Sequence, residues 1–246
     1  MISAVPSIKP LLNLRTDHSH NWGDRTRGQA PHKPFLLLSI LDGIDQGWIT
    51  TNRIELSQNL IDTFFIYWNA VMDEDRVTTI ALPFYLMKSE AFWELKYYPD
   101  ANKYKSSPSL GGLKERVAYA VIKPVLFGLM KEPAKAEEIR SLLVDHYFSG
   151  ETAAKVYEIS SLNRMAWQYS NEIESLAAAE PFVPYHTDNK KRKRTERYEQ
   201  VRETGFSITV RKSYDYSCAV CRDRLVTPGG QTLVEGAHYS MEYKLQ

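Results

Sequence analysis

The chain has 246 residues, of which 43% are hydrophobic and 25% are charged, and its formal net charge is +1. This composition is typical of a globular protein with a buried core, and it excludes a low-complexity or strongly charged chain. No apolar run reaches about eighteen residues and no signal-peptide pattern is present, so we expect no membrane span and a cytoplasmic location.

The first three quarters of the chain predict mostly helical structure. Leu, Ile and aromatic residues recur at the three- and four-residue spacing of helices that bury one face. Turn-forming residues, chiefly Pro, Gly, Asn and Ser, separate these segments. The predicted helices cover residues 34–46, 56–72, 113–130, 135–148 and 152–179; residues 78–86 are expected to be extended, residues 90–95 to form a short amphipathic segment and residues 97–112 to form a loop.

A change of composition separates a carboxyl-terminal region from this helical part. Residues 180–189 contain two prolines and no clear period, which predicts a linker. Residues 190–224 then hold eleven basic and five acidic residues, a net charge of +6, whereas residues 1–189 have a net charge of −4. We therefore predict an α+β protein. Its predicted parts are a mostly helical domain over residues 1–180, a basic linker over residues 181–204 and a small module over residues 205–246.

The small module contains the only two cysteines of the chain, Cys218 and Cys221. A Cys-x-x-Cys turn is a poor frame for a stabilising disulfide but a good one for metal or redox chemistry, and it supplies half of a tetrahedral zinc site. A structural zinc and a metal-free loop are both open at this point. Strands are predicted over residues 206–212, 224–226 and 231–235, with a Pro-Gly-Gly turn at residues 228–230.

A Cys-x-x-Cys turn, a hairpin and a small residue before His238 resemble the first half of an HNH nuclease module. The resemblance implies a partial ββα-metal fold in which His238 is the catalytic general base, with Mg²⁺ or Mn²⁺ stabilising the leaving group. Residues 239–246 contain no His, Cys, Asn or Asp. The metal-binding histidine of the family therefore has no counterpart, and we expect a truncated module that does not cleave DNA alone.

Two segments of the helical domain are distinctive. Residues 25–38 lead through Pro-His-Lys-Pro into an apolar helix, and residues 82–95 contain Leu-Pro-Phe-Tyr followed by Phe-Trp-Glu-Leu. Together with the Cys-x-x-Cys module, they resemble bacterial HNH restriction endonucleases whose amino-terminal domain is a sulfur-binding domain. The resemblance covers about residues 20–238. It implies a modification-dependent restriction endonuclease that binds phosphorothioated double-stranded DNA.

The resemblance also implies which residues contact DNA. Pro83, Phe84 and Tyr85 would form an apolar cup for sulfur, which is larger and more weakly hydrated than the phosphate oxygen that it replaces. Basic and polar groups beside the cup would hold phosphates and base edges. These groups are Arg25, Arg27, His32, Lys33, Lys103, Lys105, Ser107 and Ser109, and the linker residues Lys190, Lys191, Arg192, Lys193 and Arg194 would add non-specific phosphate contacts.

Structural roles stay open for these residues at this point. Phe84 and Pro83 fit a core as well as a cup, Trp93 is expected in the core, and the basic linker also fits a solvated spacer. Two other functions stay open as well: a non-catalytic DNA-binding protein, and a small zinc or redox regulator built on the cysteine pair. The cysteines lack a thioredoxin-like βαβ context, which counts against a redox regulator. The sequence leaves a homodimer open.

Overall fold

The computed structural model describes residues 8–19, 21–99, 101, 109–179 and 196–235 and has a mostly helical α+β fold, as predicted. In this part of the chain, eight α-helices accompany one three-stranded antiparallel sheet. The helices are α1 (His32–Asp45), α2 (Gln58–Val71), α3 (Ala81–Leu86), α4 (Leu110–Lys114), α5 (Pro124–Lys131), α6 (Pro133–Tyr147), α7 (Gly150–Ala179) and α8 (Glu196–Ser213); the strands are β1 (Arg53–Ile54), β2 (Trp93–Tyr97) and β3 (Val117–Ile122); short 3-10 helices lie at Lys9–Leu12, Asp24–Thr26 and Met87–Ser89.

The chain divides into two compact units. The first contains residues 1–160 together with residues 226–231, and the second contains residues 161–225 together with residues 232–246. The division falls within α7, which is 30 residues long. The functional domains that the composition delimits at residues 180 and 204 stay a prediction, because residues 180–195 lie outside the described part of the chain.

The core of the first unit is built around α1. This helix contacts α2, α3, α5 and α6. It is apolar on most of its circumference, and such a helix is stable only when it is buried on all sides. The fully buried residues of α1 include Phe35, Leu36, Leu37, Leu38, Ile40 and Leu41. The helices predicted over residues 34–46, 56–72, 135–148 and 152–179 are present as α1, α2, α6 and α7, so helical periodicity was a sufficient signal for them.

A charged cluster is buried between α1 and α6. The Arg140 guanidinium donates from Nη1 to Asp42 Oδ1 at 2.6 Å and from Nη2 to Asp45 Oδ2 at 2.5 Å. The Tyr67 hydroxyl donates to Asp42 Oδ2 at 2.7 Å, and Ser160 Oγ donates to Asp42 Oδ1 at 3.3 Å. Burial lowers the pKa of Arg140, but the Asp42 carboxylate, Tyr67 and the Asp45 carboxylate raise it above its ordinary value overall. The guanidinium therefore stays charged at every accessible pH.

The sheet has the strand order β1-β3-β2, with both neighbours antiparallel to β3. Ala120 at its centre pairs with Ile54 on one side and with Leu95 on the other. The sheet corrects the single helix predicted over residues 113–130, since that segment contains α4, β3 and α5. Branched residues such as Val117 and Ile122 favour a strand, and Pro124 begins α5 because proline fits the first turn of a helix.

One prediction for the neighbouring segments is wrong. The sequence predicts that residues 78–86 are extended, with an interruption at Pro83, but they contain α3, in whose first turn a proline forfeits no hydrogen bond. Residues 90–95, predicted as a short amphipathic segment, include the first half of β2. On this strand Trp93 and Leu95 are buried and Glu94 is exposed, the two-residue alternation of a strand with one solvent face. The expected core position of Trp93 is confirmed.

Residues 206–212 lie within α8 and do not form the predicted strand. Their alternation of apolar and polar residues suggested a strand, but packing on α7 favours a helix. A Cβ atom at Gly205 would lie 2.6 Å from the carbonyl oxygen of Ala166, so a glycine permits close approach of the two helices. Ile208 is buried, and the Thr209 hydroxyl donates to the Gly205 carbonyl at 3.0 Å.

The turn predicted at residues 228–230 is present. The Gly230 N–H donates to the Thr227 carbonyl and the Thr227 N–H to the Gln231 carbonyl, both at 2.8 Å. The flanking strands predicted over residues 224–226 and 231–235 are not full strands, although the Leu233 N–H donates to the Leu225 carbonyl at 2.9 Å. The hairpin therefore consists mainly of its turn.

This turn packs within the first unit. Gln58 Nε2 donates to the Gly230 carbonyl at 2.8 Å. A Cβ atom at Gly229 would lie 2.6 Å from Phe65 Cζ and 2.7 Å from the Thr78 carbonyl oxygen, and one at Gly230 would lie 2.1 Å from Leu110 Cδ2. Close approach to the Thr78 backbone therefore requires a glycine at position 229, whereas position 230 favours a glycine chiefly because its φ is +94°.

Replacing Arg140 by Met is expected to lower the free energy of unfolding by about 3–5 kcal/mol, because it leaves the buried Asp42 carboxylate without its cation. The matched control is Arg53→Met at an exposed position, which should cost at most about 1 kcal/mol, the value of its exposed cation–π contact with Tyr119. Urea unfolding followed by tryptophan fluorescence measures both. A loss below about 1 kcal/mol for the Arg140 variant would show that the buried ion pair does not stabilise the fold.

Alanine substitutions at three glycines separate steric clash from backbone strain. Gly229→Ala introduces a clash alone and should cost about 1–3 kcal/mol. Gly47 has a φ of +80°, and the space where a Cβ atom would lie is open. Gly47→Ala therefore introduces only backbone strain, which should cost about 1–2 kcal/mol. Gly230→Ala combines the two and should be the most damaging in thermal unfolding. Equal effects at all three positions would contradict the close packing of the turn.

Candidate nucleic-acid interface

The candidate site is centred on α3 and on the 3-10 helix Met87–Ser89 that follows it. Pro83 and Tyr85 are mostly buried, whereas Lys88 is exposed. The Lys88 ammonium lies 3.7 Å from the centroid of the Tyr85 ring, a cation–π contact. This contact arises because residues three apart in a helical turn lie on the same side. An aromatic ring and a cation therefore lie side by side.

Tyr97 and Arg116 extend this cluster from the sheet. The β2–β3 register shifts between Lys96 and Tyr97, and such an irregularity re-aims the side chains that follow it. Burial raises the pKa of the Tyr97 phenol and so does the neighbouring Tyr85, whereas the charges of Lys88 and Arg116 oppose the rise. The Tyr97 hydroxyl therefore stays protonated at neutral pH and can donate a hydrogen bond. We call five residues the Lys88 surface: Tyr85, Lys88, Tyr97 and Arg116, which interact with one another, and Pro83, which is buried two residues before Tyr85 in α3.

Arg116 is held in place by the chain that surrounds it. Its Nε donates to the Gly112 carbonyl at 2.7 Å, and its own carbonyl accepts from the Tyr98 N–H at 2.9 Å. The helix α4, which includes Gly112, begins after Ser109, whose hydroxyl accepts from the Gly112 N–H at 3.2 Å. Ser109, predicted as a DNA contact, thus caps a helix, a role that uses the acceptor of its side chain.

Phe84 does not line the predicted apolar cup. Its side chain is fully buried and meets the Trp93 ring edge-to-face, with the centroids 5.2 Å apart. Successive residues of a helix point in different directions, so Phe84 faces inward while its neighbour Tyr85 reaches towards Lys88. Phe84 therefore belongs to the core and cannot contact a ligand directly.

Lys33, another predicted DNA contact, is also buried. Its side chain is 6% exposed and forms an ion pair with Glu90, and Nζ also donates to Ser89 Oγ at 2.9 Å. Glu90 Oε1 accepts in addition from the Arg15 N–H at 3.1 Å and from Ser89 Oγ at 3.0 Å. In this structure Lys33 cannot reach a phosphate, and it acts on the Lys88 surface by fixing the residues next to Lys88.

Arg25 and Arg27 lie at the 3-10 helix Asp24–Thr26, where both are exposed. Arg25 pairs with Asp73 at 2.8 Å and donates from Nη1 to the Val71 carbonyl at 3.2 Å. Arg27 has a left-handed φ of 50°, and its Nε donates to the Phe148 carbonyl at 2.9 Å. An exposed ion pair contributes little to stability. An incoming phosphate can therefore compete with Asp73 for Arg25 at small cost.

His32 begins α1 and lies between two tryptophan rings. Its ring centroid is 5.4 Å from that of Trp22 and 4.6 Å from that of Trp68. Burial lowers the pKa of His32 to about 4, with Asp17 raising it and Arg76 lowering it further. At neutral pH the imidazole is therefore uncharged, and it can contact DNA as a hydrogen-bonding group but not as a cation.

Several predicted contacts lie outside the described residues. They are Lys103, Lys105 and Ser107 in the predicted loop, Lys190, Lys191, Arg192, Lys193 and Arg194 in the predicted linker, and His238 in the predicted nuclease module. Their roles stay predictions. The described residues contain no group of three or more His, Cys, Asp or Glu side chains that could hold a metal ion. The donor set therefore does not fit a catalytic divalent cation there, and we derive no step through one.

The cysteine pair forms a tight turn in the second unit. The N–H groups of Cys221 and Val220 donate to the Cys218 sulfur, and so does the Cys221 thiol; together they lower the pKa of Cys218. A bond from the Asp223 N–H lowers the pKa of Cys221, but the hydrogen bonds of its thiol to Cys218 and to the Asp223 carboxylate raise it overall. The two thiols thus differ in acidity. They supply at most two ligands to a zinc ion within the described residues.

Three members of the Lys88 surface were missed by sequence reasoning: Lys88, Tyr97 and Arg116. The position of Lys88 three residues after Tyr85 was a usable signal once residues 81–89 were taken as helical. No sequence signal indicated Tyr97 or Arg116, because their proximity depends on the pairing of β2 with β3, which are separated along the chain.

Comparison with known proteins adds no family assignment. The chain matches no protein-family model and no curated protein. Among the described residues, no helix is long and apolar enough to span a membrane.

Stability is expected to fall in acid because of His32. The folded pKa of about 4 lies below the ordinary value of 6.5, so the unfolded chain binds the proton more readily. The contribution of His32 to the free energy of unfolding is complete above pH 6.5. It falls by at most about 3 kcal/mol as the pH is lowered from 6.5 towards 4. Urea unfolding of wild type and of His32→Phe at pH 7 and pH 4.5 measures the difference. Equal losses in both proteins would contradict the assignment.

Proposed function

We propose that this chain reads phosphorothioate-modified double-stranded DNA through the Lys88 surface. The observation that carries the proposal is the stacking of the exposed Lys88 ammonium on the Tyr85 ring, with Tyr97 and Arg116 close enough to interact with them electrostatically. A cation beside an apolar wall fits a phosphate in which one oxygen has been replaced by sulfur. The resemblance of residues 25–38 and 82–95 to sulfur-binding domains supports the same assignment.

The chemical preference follows from hydration. A non-bridging sulfur is larger and more weakly hydrated than oxygen, so it loses less hydration free energy when it contacts apolar groups. Carbon atoms of Pro83 and Tyr85 would contact the sulfur, while Lys88 and Arg116 would neutralise the charge that the thiophosphate shares with its other oxygen. The Tyr97 hydroxyl would donate to that oxygen. Discrimination thus comes from the wall and affinity from the cations.

Flanking phosphates would be held by groups outside the Lys88 surface. Arg25 and Arg27 are exposed on the 3-10 helix Asp24–Thr26, and the predicted loop and linker add Lys103, Lys105 and the run from Lys190 to Arg194. Contacts of this kind position the protein on DNA without reading its sequence, and salt weakens them.

The nuclease half of the proposal rests on His238 alone. By resemblance, His238 would be the general base of an HNH module that uses Mg²⁺ or Mn²⁺. The residues that would bind this metal are not recognisable in the 246 residues, so we expect the chain to bind modified DNA without cleaving it. Incubation of a supercoiled, modified plasmid with the protein and either cation tests this half separately. Nicking that His238→Ala abolishes would establish catalysis.

Recognition of modified DNA by the Lys88 surface is tested with two otherwise identical duplexes, one of which carries a phosphorothioate. Gel-shift titrations at near-physiological salt should show tighter binding of the modified duplex by wild type. Lys88→Ala should weaken binding of both duplexes about tenfold. It should also lower the slope of log affinity against log salt concentration by about one, the value for one lost phosphate contact. Pro83→Ala should weaken only the binding of the modified duplex, because it removes apolar contact and no charge.

The matched control is Lys131→Ala, which removes an exposed lysine at the end of α5 and should leave both affinities unchanged. Circular dichroism of every variant confirms folding. Equal, salt-sensitive binding of both duplexes would reduce the protein to a non-specific DNA binder. Absence of binding by the folded protein would contradict a nucleic-acid function.

A further inference from the structure

The turn at residues 227–231 is packed into the first unit, although residues 161–225 separate it from most of that unit along the chain. Its tip, Gly229 and Gly230, is buried, whereas residues 219–226 and residue 233 on either side are exposed. The turn is closed by its own hydrogen bonds, which include one from the Gln231 N–H to Thr227 Oγ1 at 3.1 Å. A turn with this internal structure contacts the first unit chiefly through its tip.

The tip contacts α2 and the segment that leads into α3. Gln58 of α2 donates from Nε2 to the Gly230 carbonyl at 2.8 Å. A Cβ atom at Gly229 would lie 2.7 Å from the Thr78 carbonyl oxygen and 2.6 Å from Phe65 Cζ, so the turn lies directly against the backbone at residue 78. This residue comes three positions before α3 begins. The turn therefore fixes the chain just before α3, the helix that includes two members of the Lys88 surface.

The tip also contacts α4 through Leu110, the first residue of that helix. A Cβ atom at Gly230 would lie 2.1 Å from Leu110 Cδ2, so the glycine backbone packs on the leucine side chain. Two residues further along α4, the Gly112 carbonyl accepts from Arg116 Nε at 2.7 Å. A displacement of α4 therefore moves the hydrogen-bond acceptor that holds Arg116.

We propose that the turn at residues 227–231 is a strap that positions Arg116 in the Lys88 surface by holding α4 in place. The inference rests on the proposed function, because the Lys88 surface is the site on which the strap acts. With five residues, α4 is too short to be stable as an isolated helix, so its position depends on contacts such as that of Leu110 with the turn. Gly229 and Gly230 are thus positioning residues that act on the site through α3 and α4.

Gly230→Ala tests the strap in the full 246-residue chain without any ligand, because the added Cβ atom displaces α4. The N–H groups of Leu113 and Glu115 donate to carbonyls four residues earlier in α4. In the variant these two amides should exchange with deuterium at least about threefold faster than in wild type. Phenylglyoxal, which modifies accessible guanidinium groups, should react faster with Arg116 and at an unchanged rate with the exposed Arg53.

Gly47→Ala is the matched control, since it strains the backbone while its Cβ atom meets no other atom within 4 Å. It should raise deuterium exchange in α4 and α6 alike and leave the reaction of Arg116 unchanged. The strap is overturned if Gly230→Ala also raises exchange equally in α4 and α6, or if Arg116 reacts at the wild-type rate. The turn would then contribute to overall stability alone.

Duplex binding separates failure of the strap from failure of the proposed function. Gly230→Ala should weaken binding of the modified and unmodified duplexes about threefold to tenfold, whereas Gly47→Ala should leave both affinities unchanged. Full affinity of a Gly230→Ala protein whose Arg116 has become more reactive would overturn the strap as a positioning element. Absence of binding by wild type would contradict the proposed function alone, because deuterium exchange and the reaction of Arg116 test the strap without DNA.

Discussion

The fold of the first unit depends on a buried guanidinium, that of Arg140. Two carboxylates of α1, Asp42 and Asp45, receive its hydrogen bonds, and Tyr67 of α2 completes the contacts of Asp42. Each group would be costly to bury alone, and the hydrogen bonds and ion pairs between them offset much of that cost. The cluster therefore fixes the rotation of α6 and α2 about α1. Apolar packing, which tolerates small slips, could not fix this rotation by itself.

A second buried ion pair connects this core to the candidate site. Lys33, the second residue of α1, contacts Ser89 and Glu90, which directly follow Lys88. The orientation of α1 is thus transmitted to the 3-10 helix Met87–Ser89, from which Lys88 extends over Tyr85. A cation held against a ring by its surroundings loses less conformational entropy on binding an anion than a free surface lysine does. The rigidity of the core therefore has a direct consequence for the proposed reader. The Lys88 surface offers a cation and an aromatic ring, and it suits a soft anion.

The sequence by itself determined the helices with clear periodicity, the α+β class and the turn at residues 228–230. Local patterns suffice for these features, because spacing and turn chemistry act over a few residues. Tertiary structure alone decided that residues 206–212 are helical, that Val117–Ile122 is a strand, that Lys33 and Phe84 are buried, and that Tyr97 and Arg116 join Lys88. These outcomes depend on contacts between residues far apart in the chain. The free energy gained from burial and strand pairing there is larger than the local preference of these residues for another secondary structure.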